Sequence, residues 1–443
     1  MLAKYKHQTA LFLCRLNFLF PTYLGFKYIK YRYFFLNKHY FKYNPERQLL
    51  KLVAHARANV GYYKNNIAAD VTTLADFKSQ VPFIDKDVVM EHWDTFQNKN
   101  SNKSKTISGT TGGTSGKPLH LVLPKDRYIF ELGTMYKMWE TVGWTGQIRA
   151  VLRNHKLNVG TTFKIDVLKR EFIFDAFEIN DSYFEKIYQT CKKYSVQFLH
   201  SYPSSAYQFA LFLNKYNKDC SVFKAFFCGS EALLDEHKAL FKKLNIAVFH
   251  WFGHSEKLVL GGFCKTQDTI HFEPTYGFVE LISATNEPIT TIGQVGEIVG
   301  TTLHNKHMPL FRYKTGDFAE YVGDYCTSCK RHVLVVKNVQ GRWDKNKIFL
   351  SNGLYTTTTA LNLHSDLYTK IEGLQYMQSE HGKLEIRIIK SADFDSNVEN
   401  DFKNHFSHAL GSGCAFTFKY VTALEREPNG KFLVLKQNYN QLA

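Results

Sequence analysis

Residues 108 to 119, SGTTGGTSGKPL, place four glycines, five hydroxyl side chains and one lysine within twelve positions. Glycine permits backbone turns that point several N–H groups at one spot, and hydroxyls add further donors, so such a run can wrap an oxyanion. The same composition also makes a solvated linker. Two details favour wrapping. Lys117 and Pro118 close the run with a charge and a rigid exit, and the run opens an α/β region instead of joining two globules. It is not the nucleotide loop GxxxxGK[ST], because Pro118 follows Lys117 where Ser or Thr should stand.

Four later stretches hold residues of the types that bind nucleotides. They are FCGSEAL (227 to 233), HWFGHSEK (250 to 257), PLFRYKTGD (309 to 317), and QGRWDK (340 to 345) followed by REPNGK (426 to 431). With GTSGKP they resemble, in order, the motifs of the adenylate-forming superfamily of acyl-CoA synthetases, luciferases and peptide-synthetase adenylation domains. The nearest resemblance is to the phenylacetate-CoA ligase branch and its CapK-type relatives found with polysaccharide genes.

The resemblance implies the following roles. Gly113, Thr114, Ser115, Gly116 and Lys117 form the phosphate loop, with the extra residues Ser108, Thr110 and Thr111 assigned to it as well. Gly229, Ser230 and Glu231 line the adenine pocket. Trp251, Phe252, Gly253, His254 and Ser255 lead to Glu256, which holds Mg²⁺. Asp317 binds the ribose hydroxyls, and Arg312 and Arg342 either help at the nucleotide or pair with acids at a domain boundary. Lys345 marks a hinge, and Lys431 is the catalytic lysine of a mobile C-terminal domain. The reaction implied is activation of a carboxylic acid by ATP as acyl-AMP, with pyrophosphate released and the acyl group passed to CoA or another acceptor. An amide or ester on a sugar is one alternative, and a non-catalytic basic scaffold is another.

Physical chemistry gives such a reaction a use for these groups. A carboxylate attacking an α-phosphate brings two anions together, so charge must be neutralised most in the transition state. Mg²⁺ takes one or two carboxylates besides phosphate and water, which Glu256 satisfies. Both oxygens of the Asp317 carboxylate can accept hydrogen bonds, which suits two vicinal hydroxyls. Tyr202, Trp251 and Phe252 are candidate walls for the acid.

One further constellation stands apart. DYCTSCKRH (324 to 332) contains the chain's one CxxC pair, Cys326 and Cys329, with His332 beside it and Cys264 and His271 upstream. A zinc site needs about four N or S ligands, of which CxxC supplies half. Two ordinary cysteines in a turn are the alternative. Some relatives in the resembled branch carry structural zinc in this region.

Around these residues the elements read as α/β. KPLHLVL, AVLRN, FIFDAF, VQFLH and VFKAFFCGS are strand-like, and RYIFELGTMYKMWETV, SYFEKIYQTCKKYS and PSSAYQFALFLNKY are helical between them. Short apolar runs alternating with amphipathic helices predict a mainly parallel sheet, with ligands at the strands' carboxyl ends. From 265 to 337 the texture changes to strands and turns, predicting a β-rich subdomain. The expected layout is an adenylation domain over 1 to 340, a hinge at 341 to 345, and a small mobile α+β lid over 346 to 443.

Length and composition bound the rest. A chain of 443 residues with 37 Phe and 26 Tyr can bury more than one core. The net charge of +16 is spread along the chain, which disfavours a dedicated nucleic-acid domain. The basic, aromatic residues 1 to 66 read as helices packed on the core, with a helix through ERQLLKLVAHARANVGYYK in which Leu49, Leu50, Val53 and Ala54 recur. The competing reading of the first forty residues is an anchor at the edge of an anionic membrane. The irregular cysteine spacing and the lack of a spanning apolar run predict a cytoplasmic protein, at most peripheral at the inner membrane face.

Overall fold

The computed structural model describes residues 2–17, 20–36, 44–68, 70–111, 119–158, 160–265, 268–341, 347–358, 360–361, 367, 370–425 and 434–437. Its centre is a 12-stranded sheet. Arg149–Leu152, Glu171–Ile173, Phe198–Ser201, Ala225–Gly229 and Ala247–Gly253 are its parallel part. They are fully or largely buried, the expected burial for strands covered on both faces.

The helices between them follow from local sequence. Asn180 caps Asp181–Tyr194 by accepting the N–H of Tyr183, and Phe184, Ile187, Tyr188 and Cys191 form its buried stripe. Ser195, in the left-handed conformation, ends it. Pro203 opens Pro203–Lys215, where its missing N–H costs nothing.

The strands after 260 hydrogen-bond onto the same sheet. Leu260–Phe263 pairs antiparallel with Ala247–Gly253, and Ile270–Phe272, Arg331–Gln340, Tyr313–Cys326, Val295–Thr302 and Gly277–Ile282 continue outward from it. The β-rich texture at 265–337 is therefore an antiparallel extension of one sheet. Turn-rich sequence reports how strands connect, and not which sheet they join.

The N-terminal helices cover this framework. Tyr28 is fully buried, and Tyr31 shares its hydroxyl with Thr134 Oγ1 at 2.8 Å and Thr275 Oγ1 at 3.2 Å. Phe20 packs on Tyr136 and Trp144. In Pro45–Asn59 the buried stripe is Leu49, Leu52, Val53 and Ala56, while Leu50 is half-buried and Ala54 faces water. That is the i, i+3, i+4, i+7 face of one helix, and Leu50 and Ala54 lie about 100° further round than Leu49 and Val53, toward its rim. Phe12, Leu13, Leu16 and Phe26 are exposed. No helix among the described residues is long and apolar enough to cross a membrane.

Beyond residue 347 a second unit has its own core. Ala415–Tyr420, Lys383–Lys390, Ile371–Glu380 and Leu435–Gln437 form a four-stranded sheet in that order. Phe402 and Phe406 of the helix Ser396–Leu410 pack with Tyr376, Ile386 and Ile388 of that sheet. The fold is thus mixed α/β with a small α+β C-terminal unit.

Candidate active site

A cavity of about 960 Å³ opens at the carboxyl ends of the parallel strands. Arg153 and Asn154 follow the strand ending at Leu152, His200 lies near the end of the next, Ser230 follows Gly229, and Trp251 and Gly253 finish the last. This is where the dipoles and loops of an open α/β sheet leave room for a ligand. Thr358, Tyr376 and Val434 of the C-terminal unit reach the same cavity.

The first residues of the glycine-rich stretch, Ser108 to Thr111, lie at this cavity. Thr106–Thr110 and His120–Pro124 form an antiparallel ribbon in which Thr110 faces His120. Beyond it, Thr111 N–H donates to Leu119 O at 3.0 Å, and Leu119 N–H donates to Thr111 Oγ1 at 2.9 Å. The run is thereby closed as a loop, and Ser108, Thr110 and Thr111 line the cavity. Gly113, Thr114, Ser115, Gly116 and Lys117 lie outside the described residues.

Glu256 lines the cavity with His254 and Ser255. One carboxylate oxygen is 3.0 Å from His254 Nδ1, and the other accepts the Tyr313 hydroxyl at 3.1 Å. Burial opposes ionisation of Glu256, but the His254 hydrogen bond and charge and the Tyr313 hydroxyl outweigh it and hold its pKa at about 2. A depressed folded-state pKa stabilises the protein above the ordinary value of 4.5, and that contribution is lost as pH falls through about 2. Its size is on the order of 3 kcal/mol. Unfolding free energies of the protein and its Glu256→Gln variant should therefore converge as pH drops across that window in denaturant titrations. A gap that stays constant would show that Glu256 is not the titrating group.

Asp317 is buried on the strand Tyr313–Cys326 and lines the cavity beside Thr315, whose hydroxyl accepts the Asp317 N–H at 3.1 Å. Glu256, Asp317 and the loop neck, far apart in the sequence, thus meet at one cavity.

Four residues assigned to the nucleotide from sequence sit elsewhere. Successive side chains on a strand point to opposite faces, so with Trp251 and Gly253 at the cavity, Phe252 packs behind it, edge-on to Phe272. Gly229 does not line the cavity. A Cβ there would lie 2.2 Å from the Trp251 ring, so the glycine makes space for that ring. Glu231 is buried, accepting the Ser204 N–H at 3.0 Å and the Thr357 hydroxyl, which ties the helix Pro203–Lys215 to the C-terminal unit. Burial raises its pKa. Arg312 is buried and fully engaged: Nε and Nη2 donate to Glu280 at 3.1 and 3.0 Å, and Nη1 donates to the carbonyls of Val81 and Lys78. Arg342, Lys345 and Lys431 lie outside the described residues.

Sequence reading missed most of the other wall. Glu131, Met135, Tyr136 and Trp139 face the cavity from one side of the helix Arg127–Trp139, and Lys257 bridges to Glu131 at 2.8 Å. Arg153 donates to His200 Nε2 at 2.9 Å and to Ser230 Oγ at 3.1 Å, and stacks over Tyr202. Lys86 and Arg127 also line the cavity. The available signal was position: Arg153, Asn154 and His200 stand at the ends of strands already legible as AVLRN and VQFLH.

The cysteine constellation assembles on the antiparallel side of the sheet. Cys264, His271, Cys326 and Cys329 bring their ligand atoms within 4.8 Å of one another. Cys264 Sγ and Cys326 Sγ are 3.9 Å apart, and Cys329 Sγ is 3.5 Å from His271 Nδ1. Two thiolates on one tetrahedral zinc stand about 3.8 Å apart, so the donor set fits that ion. Burial and the nearby Arg331 push the His271 pKa down to about 4, which keeps the imidazole neutral, as a metal ligand must be. Cys326 resists burial through backbone amides of Cys329 and Ser328, which hold its thiol below the ordinary value. His332, beside the pair in sequence, is outside this group.

Residues 351–438 match the family model of the CapK C-terminal domain. No curated protein matches the chain by sequence. Among solved structures, 2-hydroxyisobutyryl-CoA ligase with 2-HIB-AMP and CoA in its thioesterification state aligns at TM-score 0.58 and 14% identity, covering 88% of each chain. Its open conformation with 2-HIB-AMP and CoA aligns at TM-score 0.55 and 14% identity, covering 88% of this chain and 90% of that one. Its postadenylation state with 2-HIB-AMP aligns at TM-score 0.54 and 13% identity, covering 88% of each. The chain shares the fold of these CoA-ligase structures, and its residues 351–438 are similar to the CapK C-terminal domain.

Proposed function

We propose that this protein is an ATP-dependent, adenylate-forming ligase. The observation that carries the reading is the convergence of Glu256, Asp317 and the neck of the 108–119 loop on one cavity at the strand ends of this fold. In the reaction a carboxylate oxygen attacks the α-phosphorus of ATP and pyrophosphate leaves, giving acyl-AMP. Asp317 accepts the ribose hydroxyls, and Thr110, Thr111 and the loop they close supply donors to phosphate oxygens. Mg²⁺, when bound, offsets phosphate charge. Glu256 is ionised at all ordinary pH values and fits as its single carboxylate ligand.

For the second half-reaction we place CoA first among acceptors, because the ligase complexes with the same fold hold CoA beside an acyl-adenylate. The resemblance of the motifs to CapK-type sequences suggests an acceptor in polysaccharide assembly as the alternative. We place the hinge at 341–345, directly after the strand Arg331–Gln340, so that the unit beyond it turns between the two half-reactions. The test is pyrophosphate exchange into ATP across a panel of carboxylic acids, followed by addition of CoA, amines and sugars. No exchange with any acid, together with no measurable ATP binding, refutes the ligase reading.

We also propose a structural zinc on Cys264, His271, Cys326 and Cys329. Metal analysis of the purified protein should give one zinc per chain. Cys326→Ser or Cys329→Ser should release it and lower the melting temperature, with cavity residues unchanged. A zinc-free protein of unaltered stability would refute the site.

A further inference from the structure

One part of the cavity wall is a cluster of nitrogen donors. Trp139 ends the helix Arg127–Trp139, Arg149 opens the strand Arg149–Leu152, and His200 lies on Phe198–Ser201. All three line the cavity, the Trp139 ring centroid lying 5.3 Å from that of His200 and 5.2 Å from the Arg149 guanidinium. Trp139 Nε1 and His200 Nδ1 are withdrawn from water and have no hydrogen-bond partner among the described residues, while the Arg149 guanidinium beside them is shared between Glu171 and the Tyr136 hydroxyl.

Each of these atoms is a donor. Indole and guanidinium nitrogens only donate. The His200 pKa is pushed well below its ordinary value by burial and by Arg153 and Arg149, so the ring is neutral. Its Nε2 meets an Arg153 N–H and must accept, which leaves the proton on Nδ1. Among the described residues no acceptor serves Trp139 Nε1 or His200 Nδ1.

The charges nearby indicate which acceptor suits it. Arg149 is neutralised by the buried carboxylate of Glu171, so the cluster favours a neutral oxygen over a second anion. Arg153, which joins the cluster to Ser230, has no carboxylate within ion-pair distance among the described residues, and its known partners are neutral. Its charge is left for an anionic ligand.

Building on the ligase reading, we propose that the acid is an oxygen-substituted one, a hydroxy, keto or cyclic-ether acid, whose carboxylate meets Arg153 and whose neutral oxygen takes hydrogen bonds from Trp139 and His200, beside the Arg149 guanidinium. A hydrocarbon acid of the same shape would leave these donors as unpaired as they are without a ligand, whereas an oxygen placed against them satisfies them. Sites built to hydrogen-bond a substrate group reject the analogue that lacks it more strongly than apolar pockets separate homologues.

The test is kcat/KM for pyrophosphate exchange with matched acids: butyrate against 3-hydroxybutyrate, cyclohexanecarboxylate against tetrahydropyran-2-carboxylate, and phenylacetate against 4-hydroxyphenylacetate. The oxygenated member should lead by about tenfold or more in at least one pair. Trp139→Phe, which removes one donor and keeps a ring stacked on Phe227, should narrow that ratio. If the hydrocarbon acids exchange as well as their partners, the polar subsite is refuted while the ligase reading stands. If no acid of either kind exchanges, this proposal is refuted, and if ATP also fails to bind the ligase reading falls with it. Should Trp139→Phe fail to fold, the ratios measured on the unaltered protein still decide the matter.

Discussion

Lys431→Ala is expected to slow acyl-adenylate formation at least about a hundredfold, a barrier increase on the order of 3 kcal/mol. An ammonium placed between the attacking carboxylate and the α-phosphate acts where the two anions come together, and so is worth more in the transition state than in the ground state. The described residues on either side of Lys431 are Glu425 and Val434. Glu425 is held by Gln375, whose side chain both donates to its carbonyl at 2.9 Å and accepts its N–H at 3.0 Å, and by Arg387 and Lys436. On the other side Val434 lines the cavity together with Tyr376. The measurement is pyrophosphate exchange with the best acid, with ATP binding followed separately. ATP binding should survive, and acyl transfer from a preformed adenylate should be affected far less than adenylation. Full exchange activity in the variant would remove Lys431 from the mechanism.

Arg312→Met should destabilise the protein by about 3–5 kcal/mol, because it strands the Glu280 carboxylate in the interior without its partner. Arg312 also stacks on Phe83 at 3.7 Å and clamps the carbonyls of Lys78 and Val81. It therefore fastens the segment after the helix Leu74–Gln80 to the central sheet. Removing both charges, as in Arg312→Met with Glu280→Leu, should recover most of the loss, since the penalty comes from the unpaired charge. Urea denaturation of the two variants decides this. If Arg312→Met unfolds like the parent but raises the KM for ATP, the arginine is a nucleotide ligand and the packing role is wrong.

These two expectations divide along the line between what is local in the sequence and what is not. Lys431 is assigned from a short stretch and its order among others. Arg312 stood in such a stretch too, and its neighbours in sequence gave no hint of Glu280 or of residues 78 to 83. Its side chain found those partners only because the strands Gly277–Ile282 and Tyr313–Cys326 flank Val295–Thr302 in the folded sheet.

By itself the sequence determined the element types. The parallel strands and their helices stand where the apolar periodicity places them, because that periodicity is the imprint of one-sided or two-sided burial. It also determined which residue types were available for phosphate, ribose, Mg²⁺ and zinc. The tertiary structure decided three things that periodicity cannot carry. It turned Trp251 to the cavity and Phe252 away, since alternate residues on a strand part company and one sequence does not say which face is which. It joined the β-rich stretch to the parallel strands in one sheet, because edge pairing depends on long-range register. And it gathered Arg149, Arg153, His200 and Trp139 into one wall, and Cys264 and His271 beside the CxxC pair, because contacts between distant strand ends exist only once the chain has closed on itself.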